Sequence, residues 1–366
     1  MWFDPAAAWE RPAWFGDLEV DTGLTFIGLV PWDDAVRKDA TASFDVLLSR
    51  TFRGVHVHLH LEGSTTPGAS SVSVAVPEAN GDSGSALDGD GRGRVQRSEL
   101  FMTVPTAAGL QFSTGLIDAA GFLDTSEVAN SETEQFLNSA FVNNPTIALP
   151  DYTPGATLVW QPPERDWGVT TFLSGSHGLG DDGGSYSGLF RSKYDADGDG
   201  SADLDKGLFI ATEGLWRILA GVVRIGAWTS TADYQHLDRP ERHSGNYGYY
   251  GVADWSLGRG RLNLRAGTAD ERVSKADGFI SLAADWPLTS TLRIGLGVAR
   301  TMVSDVGRAP DEEDSREAEL YLGLQATTQT NIALSLQRIL HSDFRAGHDG
   351  IDPHQTVFGL RVYHQL

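Results

Sequence analysis

Apolar and polar residues alternate one for one through segments of about 9–12 residues, and the pattern recurs along almost the whole chain. In 53–61, Val55, Val57, Leu59 and Leu61 share one face while His56, His58 and His60 share the other. Further on, Leu292, Ile294, Leu296 and Val298 alternate with Arg293, Gly295, Gly297 and Ala299. Ala318, Leu320, Leu322 and Leu324 alternate with Glu319, Tyr321, Gly323 and Gln325. Successive side chains of a strand point to opposite faces, so each segment is a strand with one apolar and one wet surface. Soluble strands average about 5–6 residues; these are longer, and match the length that crosses a bilayer at a tilt.

Sixteen such segments are expected, at 18–28, 41–51, 53–62, 94–105, 109–117, 154–162, 166–174, 207–218, 220–230, 246–257, 260–269, 277–286, 290–301, 314–326, 329–340 and 355–366. The connections alternate between short ones, such as Thr51-Phe52 and Gly258-Arg259, and long ones, such as 63–93, 118–153 and 175–206. An even strand number with short turns at one end and long loops at the other predicts an all-β fold, a transmembrane antiparallel β-barrel. Residues 18–366 then form one sixteen-stranded barrel with short periplasmic turns and long extracellular loops, and 1–17 form an N-terminal periplasmic segment. Sixteen strands enclose an aqueous channel. Trp160, Trp167, Trp216, Trp228, Tyr249, Trp255 and Trp286 fall near strand ends, where aromatic rings sit at lipid headgroups.

Composition narrows the reading. Forty-nine acids against 28 bases give a net charge of −21, which excludes an electrostatic nucleic-acid binder. The absence of cysteine excludes disulfides, thiolate metal sites and a cysteine nucleophile. A mean hydropathy of −0.22 fits a chain that averages a lipid face with a wet one. Residues 1–17 carry no basic and apolar leader pattern, as expected of a mature exported protein in the bacterial outer membrane. The acids gather in the long loops, as at Asp82, Asp88 and Asp90, where divalent cations would bridge them to lipopolysaccharide.

By alternation the lumen-facing set comprises Arg97, Glu99, Glu213, Arg217, Arg224, Arg261, Arg265, Arg293, Glu319 and Arg361, with Asp254 and Asp285. Phe101, Trp228, Tyr321 and Tyr363 add flat inward faces. Such a mixed wall discriminates weakly by charge and offers hydrogen bonds to hydroxyls. His56, His58 and His60 share a face but lack a fourth metal ligand, so they read as part of an aqueous wall. The 63–93 loop, rich in Gly and Ser, reads as a solvated outer loop. The 118–153 loop differs: Phe136, Leu137, Ala140 and Phe141 have helical spacing, and the only surface available to them is the inner wall. Glu132, Glu134, Gln135, Asn138 and Asn144 are the expected constriction residues. Asp195, Asp197, Asp199, Ser201 and Asp203, with Gly200, follow the spacing of a calcium loop, although Lys206 stands where its bidentate glutamate would be. A Ca2+ staple in the 195–205 loop and a merely acidic loop both remain open.

The stretch 124–145 and the following Pro150–Gly155 resemble the carbohydrate-selective porins, the OprB family. That resemblance implies a sixteen-stranded outer-membrane channel for passive diffusion of neutral sugars, with inward-folded loops and an arginine-containing constriction. It also implies insertion by the barrel-assembly machinery. The chain departs from the usual aromatic ending of such barrels, finishing Tyr363-His-Gln-Leu366. Monomer and homotrimer are both compatible with the pattern. No P-loop, dinucleotide fingerprint or Ser/His/Asp arrangement is present, so no enzyme is expected. Two other readings stand: a general or anion-selective porin using the arginines, and a soluble β-class carbohydrate-binding protein or glycosidase using Glu132 and Glu134.

Overall fold

The computed structural model describes residues 18–83, 86–106, 109–181, 185–194, 204–345 and 351–366. The strands are β1 (Leu18–Pro31), β2 (Asp39–Phe52), β3 (Val55–Ser64), β4 (Val95–Pro105), β5 (Leu110–Ile117), β6 (Thr153–Trp160), β7 (Trp167–Gly175), β8 (Lys193–Tyr194) and β9 (Leu204–Asp205). They continue with β10 (Leu208–Ile218), β11 (Gly221–Gln235), β12 (Arg242–Leu257), β13 (Gly260–Ala269), β14 (Ala276–Pro287), β15 (Leu292–Val303), β16 (Ser315–Gln325), β17 (Thr330–Leu340) and β18 (His354–Gln365). All but β8 and β9, which pair with each other, form one closed antiparallel barrel. Each barrel strand pairs with its sequence neighbour, and β18 returns to β1 with Phe26 opposite Val362.

All sixteen expected segments are strands of this barrel. The largest extension is the β11–β12 ribbon, which runs beyond the expected limits with a register shift between Ser230 and Asp233. The turn at Arg53-Gly54 shows how the short connections are made: both residues have positive φ, at 50° and 82°, the primed two-residue turn that matches strand twist. Outward rows such as Leu296 and Val298, Leu320 and Leu322, and Leu334 and Leu336 remain exposed, with no second layer over them. Trp160, Trp216 and Trp286 stand exposed near the short-turn end, and Trp160 packs edge-on against Trp167 at 5.2 Å. Trp228 does not belong to this belt; it is buried inside, stacked on Phe209. No helix among the described residues is long and apolar enough to cross a membrane.

The buried core lies inside the barrel. Phe136, Phe141, Val128 and Ala140 of the 118–152 loop pack against Phe279, Ala283, Ala299 and Tyr321 of β14–β16. A second cluster corrects the expectation for the 63–93 loop. Val72, Val76 and Ala79 are buried against Ile27, Leu29, Ile339 and Val357 of the inner wall and against Leu137. Asn80 donates to Thr41 and Ser73, and Ser43 donates to Asp82. This loop also folds inward, because Val72, Val76 and Ala79 fall at i, i+4 and i+7 and need an apolar surface. The N-terminal segment 1–17 and the candidate calcium ligands Asp195, Asp197, Asp199, Ser201 and Asp203 lie outside the described residues.

Candidate functional site

The 118–152 loop is fastened across the lumen by wall side chains that bond to its backbone. Asp118 N donates to Glu99 of β4, and Asp124 N donates to Glu213 of β10. Ser126 Oγ donates to Asp254 of β12 at 2.7 Å. Arg265 of β13 donates to the carbonyl oxygens of Asp124, Ala129, Phe141 and Val142, and forms an ion pair with Asp124 at 3.1 Å. Glu319 of β16 accepts from Leu137 N and Asn138 N, and Arg361 of β18 donates to the carbonyls of Glu132 and Gln135. A loop with few regular backbone bonds must satisfy its polar groups elsewhere, and here the wall supplies them.

A closed barrel of sixteen strands, alternating in side-chain direction and crossed by an inward loop, can be set beside known structures. The "High pH structure of Pseudomonas putida OprB" aligns with a TM-score of 0.74 at 14% identity, over 96% of this chain and 95% of that one. The fold is that of a porin. The low pH structure of the same protein aligns at a TM-score of 0.56 with 12% identity, covering 98% of each chain. A mutant porin of Rh. blastica aligns at 0.53 with 11% identity, over 95% of this chain and 100% of that one. No family profile matches the sequence. A stretch of 44 residues is 52% identical to an uncharacterized protein of Aquifex aeolicus (strain VF5), covering 12% of this chain and only 14% of that protein.

Within this porin fold, every residue expected to face the lumen except Arg97 stands on the inward side of its strand, but few of them are free to meet a solute. Arg265, Arg361, Glu213 and Glu319 are buried under the loop. Trp228 is buried, and Tyr321 donates to Asp285 at 2.6 Å while packing edge-on against Phe136. Arg224 pairs with Asp254 at 3.3 Å and lies 3.8 Å from Glu213. Arg261 and Arg293 pair with Asp285 at 3.5 and 3.4 Å. Arg217 is exposed near the short-turn end of β10, and Glu99 is half-buried at the foot of the loop. Arg97 is a correction. A bulge opposite His60 and Leu61 makes Ser98 the extra residue, which reverses the alternation and turns Arg97 outward under the ring of Tyr186, 5.1 Å away.

The loop candidates divide in the same way. Gln135, Asn138 and Asn144 hold the loop together: Gln135 accepts from Asn130 N, Asn138 caps the turn at Ala140 and donates to Gln337, and Asn144 caps Thr146 and donates to Ala266 O. Glu134 is exposed, and the Glu132 carboxyl is raised by burial and by the charges of Asp45 and Glu62.

The opposite wall, β2–β4, meets the loop at Glu99 and Phe101 and carries further titratable side chains. His60 contacts Asp45 at 2.9 Å and Glu99 at 3.7 Å, while His58 lies 3.5 Å from Glu99. Glu62 accepts from Ser98 and Gln96. The His58 ring lies 4.9 Å from that of Phe101, which meets Phe122 of the loop at 6.1 Å. Asp45 and Glu62 were absent from the expected set, although Asp45 falls within 41–51 and Glu62 shares the face of the three histidines. Among the described residues these side chains form no three-ligand metal group. Loop carboxyls add to the acidity. Burial, reinforced by Glu99 and Asp151, pushes the Asp118 carboxyl up to about 7. Burial likewise raises Asp82 to about 7 against the hydrogen bond from Ser43. Asp124 is raised to about 6, burial outweighing the attraction of Arg265.

Close approach of loop and wall depends on missing side chains. A Cβ at Gly297 would lie 2.7 Å from the Phe141 ring, which is itself buried. The variant Gly297→Val is expected to displace this ring and loosen the loop while the barrel stays closed. Limited digestion with a Glu-specific protease checks this: faster cleavage at loop glutamates, with unchanged heat-modifiable migration of the barrel, is the expected result. Equal cleavage rates would show that the ring is not a fastening point.

Proposed function

We propose that the protein is a passive channel of the bacterial outer membrane for small polar, uncharged solutes, with sugars foremost. The observation that carries this reading is the β2–β4 wall, where Asp45, His58, His60 and Glu99 stand beside the rings of Phe101 and of Phe122 from the inward loop. Carboxylates and imidazoles accept and donate to hydroxyls, and adjacent aromatic faces suit the apolar face of a pyranose. Uncovered aliphatic rows around the barrel support a lipid setting over a soluble lectin or glycosidase. The anion-selective reading loses its main support, because Arg265 and Arg361 are buried and bonded to the loop.

Planar-bilayer recording tests the proposal. Stepwise conductance that falls as a monosaccharide is added is the expected result, and Phe101→Ala should weaken the block. Folded protein that gives no steps would refute the channel. In sequence terms Asp195, Asp197, Asp199, Ser201 and Asp203 would hold a calcium ion in an extracellular loop. Calorimetry should then show calcium binding that is lost in Asp197→Asn/Asp199→Asn, and calcium heats unchanged by that variant would defeat the assignment.

A further inference from the structure

Three neighbouring strands end their lipid-facing rows in the same way. On β15 the outward run Ile294, Leu296, Val298 is followed by Arg300. On β16 the run Leu324, Leu322, Leu320 leads through Ala318 to Arg316. On β17 Ile332, Leu334 and Leu336 lead to Arg338. All three arginines are exposed and lie toward the long-loop end of the barrel. Arg300 stands directly opposite Arg316, and Arg338 stands opposite Ala318, one diagonal step from Arg316.

Like charges directly opposite on a sheet destabilise it. The protein balances only part of this set. Arg300 is held by Asp314, and Arg338 donates to the neutral oxygens of His354 and Thr356. Arg316 has no side-chain partner among the described residues. The neighbouring acids are already engaged, Glu312 with Lys275 at 2.9 Å and Glu313 with His341 at 3.4 Å. In a chain of net charge −21 this outward guanidinium cluster runs against the overall balance.

We propose that Arg300, Arg316 and Arg338 form a binding site for the phosphate of a phosphorylated outer-leaflet lipid. A phosphate accepts paired N–H bonds from planar guanidinium groups and would remove the repulsion between Arg300 and Arg316. The aliphatic rows beneath select a lipid over free phosphate, because acyl chains attached to that headgroup would lie along Leu296, Val298, Leu320, Leu322, Leu334 and Leu336. This goes beyond the channel reading, since the site faces lipid and not the lumen.

The test uses the folded barrel in detergent, titrated with diphosphoryl lipid A and with the same lipid stripped of phosphate, binding being read by native mass spectrometry. Binding of the phosphorylated lipid should exceed that of the stripped one, and Arg316→Gln/Arg338→Gln should weaken it about tenfold for each guanidinium lost. The stripped lipid should bind both proteins alike, and Arg316→Lys should keep part of the affinity. Should the double variant fail to fold by heat-modifiable migration, Arg316→Gln alone supplies the reading. Phosphate-independent binding, a variant that binds as well as the parent, or displacement of the lipid by millimolar inorganic phosphate would each overturn the site. Unchanged conductance in the variant separates its failure from that of the channel reading.

Discussion

Arg265→Met is expected to raise single-channel conductance several-fold and to make the open level noisy. The side chain removed donates to four loop carbonyls and pairs with Asp124, all in a buried setting. Methionine keeps the volume without the donors, so the wall still packs but the loop loses its central fastening. Leaving the Asp124 carboxyl buried without its partner costs about 3–5 kcal/mol. The same energy can be relieved by letting the loop leave the wall, which widens the lumen while the hydrogen-bonded barrel persists. The double variant Arg265→Met/Asp124→Asn should recover much of the lost stability in urea yet keep the raised conductance, since it cures the stranded charge and not the missing donors. A single variant with parental conductance and loop protection would show that the loop is held from its other anchors alone.

The second large effect is on ion selectivity. In a salt gradient near pH 8 the reversal potential should indicate preference for cations, because the acids around the β2–β4 wall outnumber the cations that reach it. Asp45, Glu62, Glu99, Glu132 and Asp151 contribute together with Asp82 and Asp118, while Arg224, Arg261 and Arg293 are already paired on the opposite side. As pH falls through about 7, Asp82 and Asp118 take up protons and the negative field weakens. Cation preference should therefore shrink between pH 8 and pH 5, and Asp118→Asn at pH 8 should reproduce part of the shrinkage. Anion preference at pH 8, or a cation preference that grows on acidification, would contradict the electrostatic reading.

How much of this was legible follows from what alternation encodes. A wall between lipid and water must change character at every residue, so the sixteen strands and the inward side of Glu213, Arg265, Glu319 and Arg361 could be read directly. Alternation states which side a residue faces, not what meets it there. Arg265 and Arg361, read as solute-facing, are loop anchors because their partners are backbone carbonyls, which leave no mark in a sequence. Arg97 was misplaced because one extra residue, Ser98, inverts the rule locally. The 118–152 loop announced itself through Phe136, Leu137, Ala140 and Phe141, although only Ser139–Phe141 is helical, and then as a single 3-10 turn. In the 63–93 loop Val72, Val76 and Ala79 carried the same kind of signal, obscured by the glycines and serines around them.

The seam between β1 and β18 sets the order in which this molecule can be finished. Gln365 donates to Asp21 across 344 positions of chain, so the ring cannot seal until its last strand has arrived. Contacts of such long range make formation slow. The anchors Arg265, Glu319 and Arg361 all follow the inward loop in sequence, so the loop waits as a guest without a house while the later strands are laid down. Until then two raw sheet edges stand open to pairing with other chains. Sealing the ring also completes the fastening of the loop, because its anchor Arg361 stands on the closing strand.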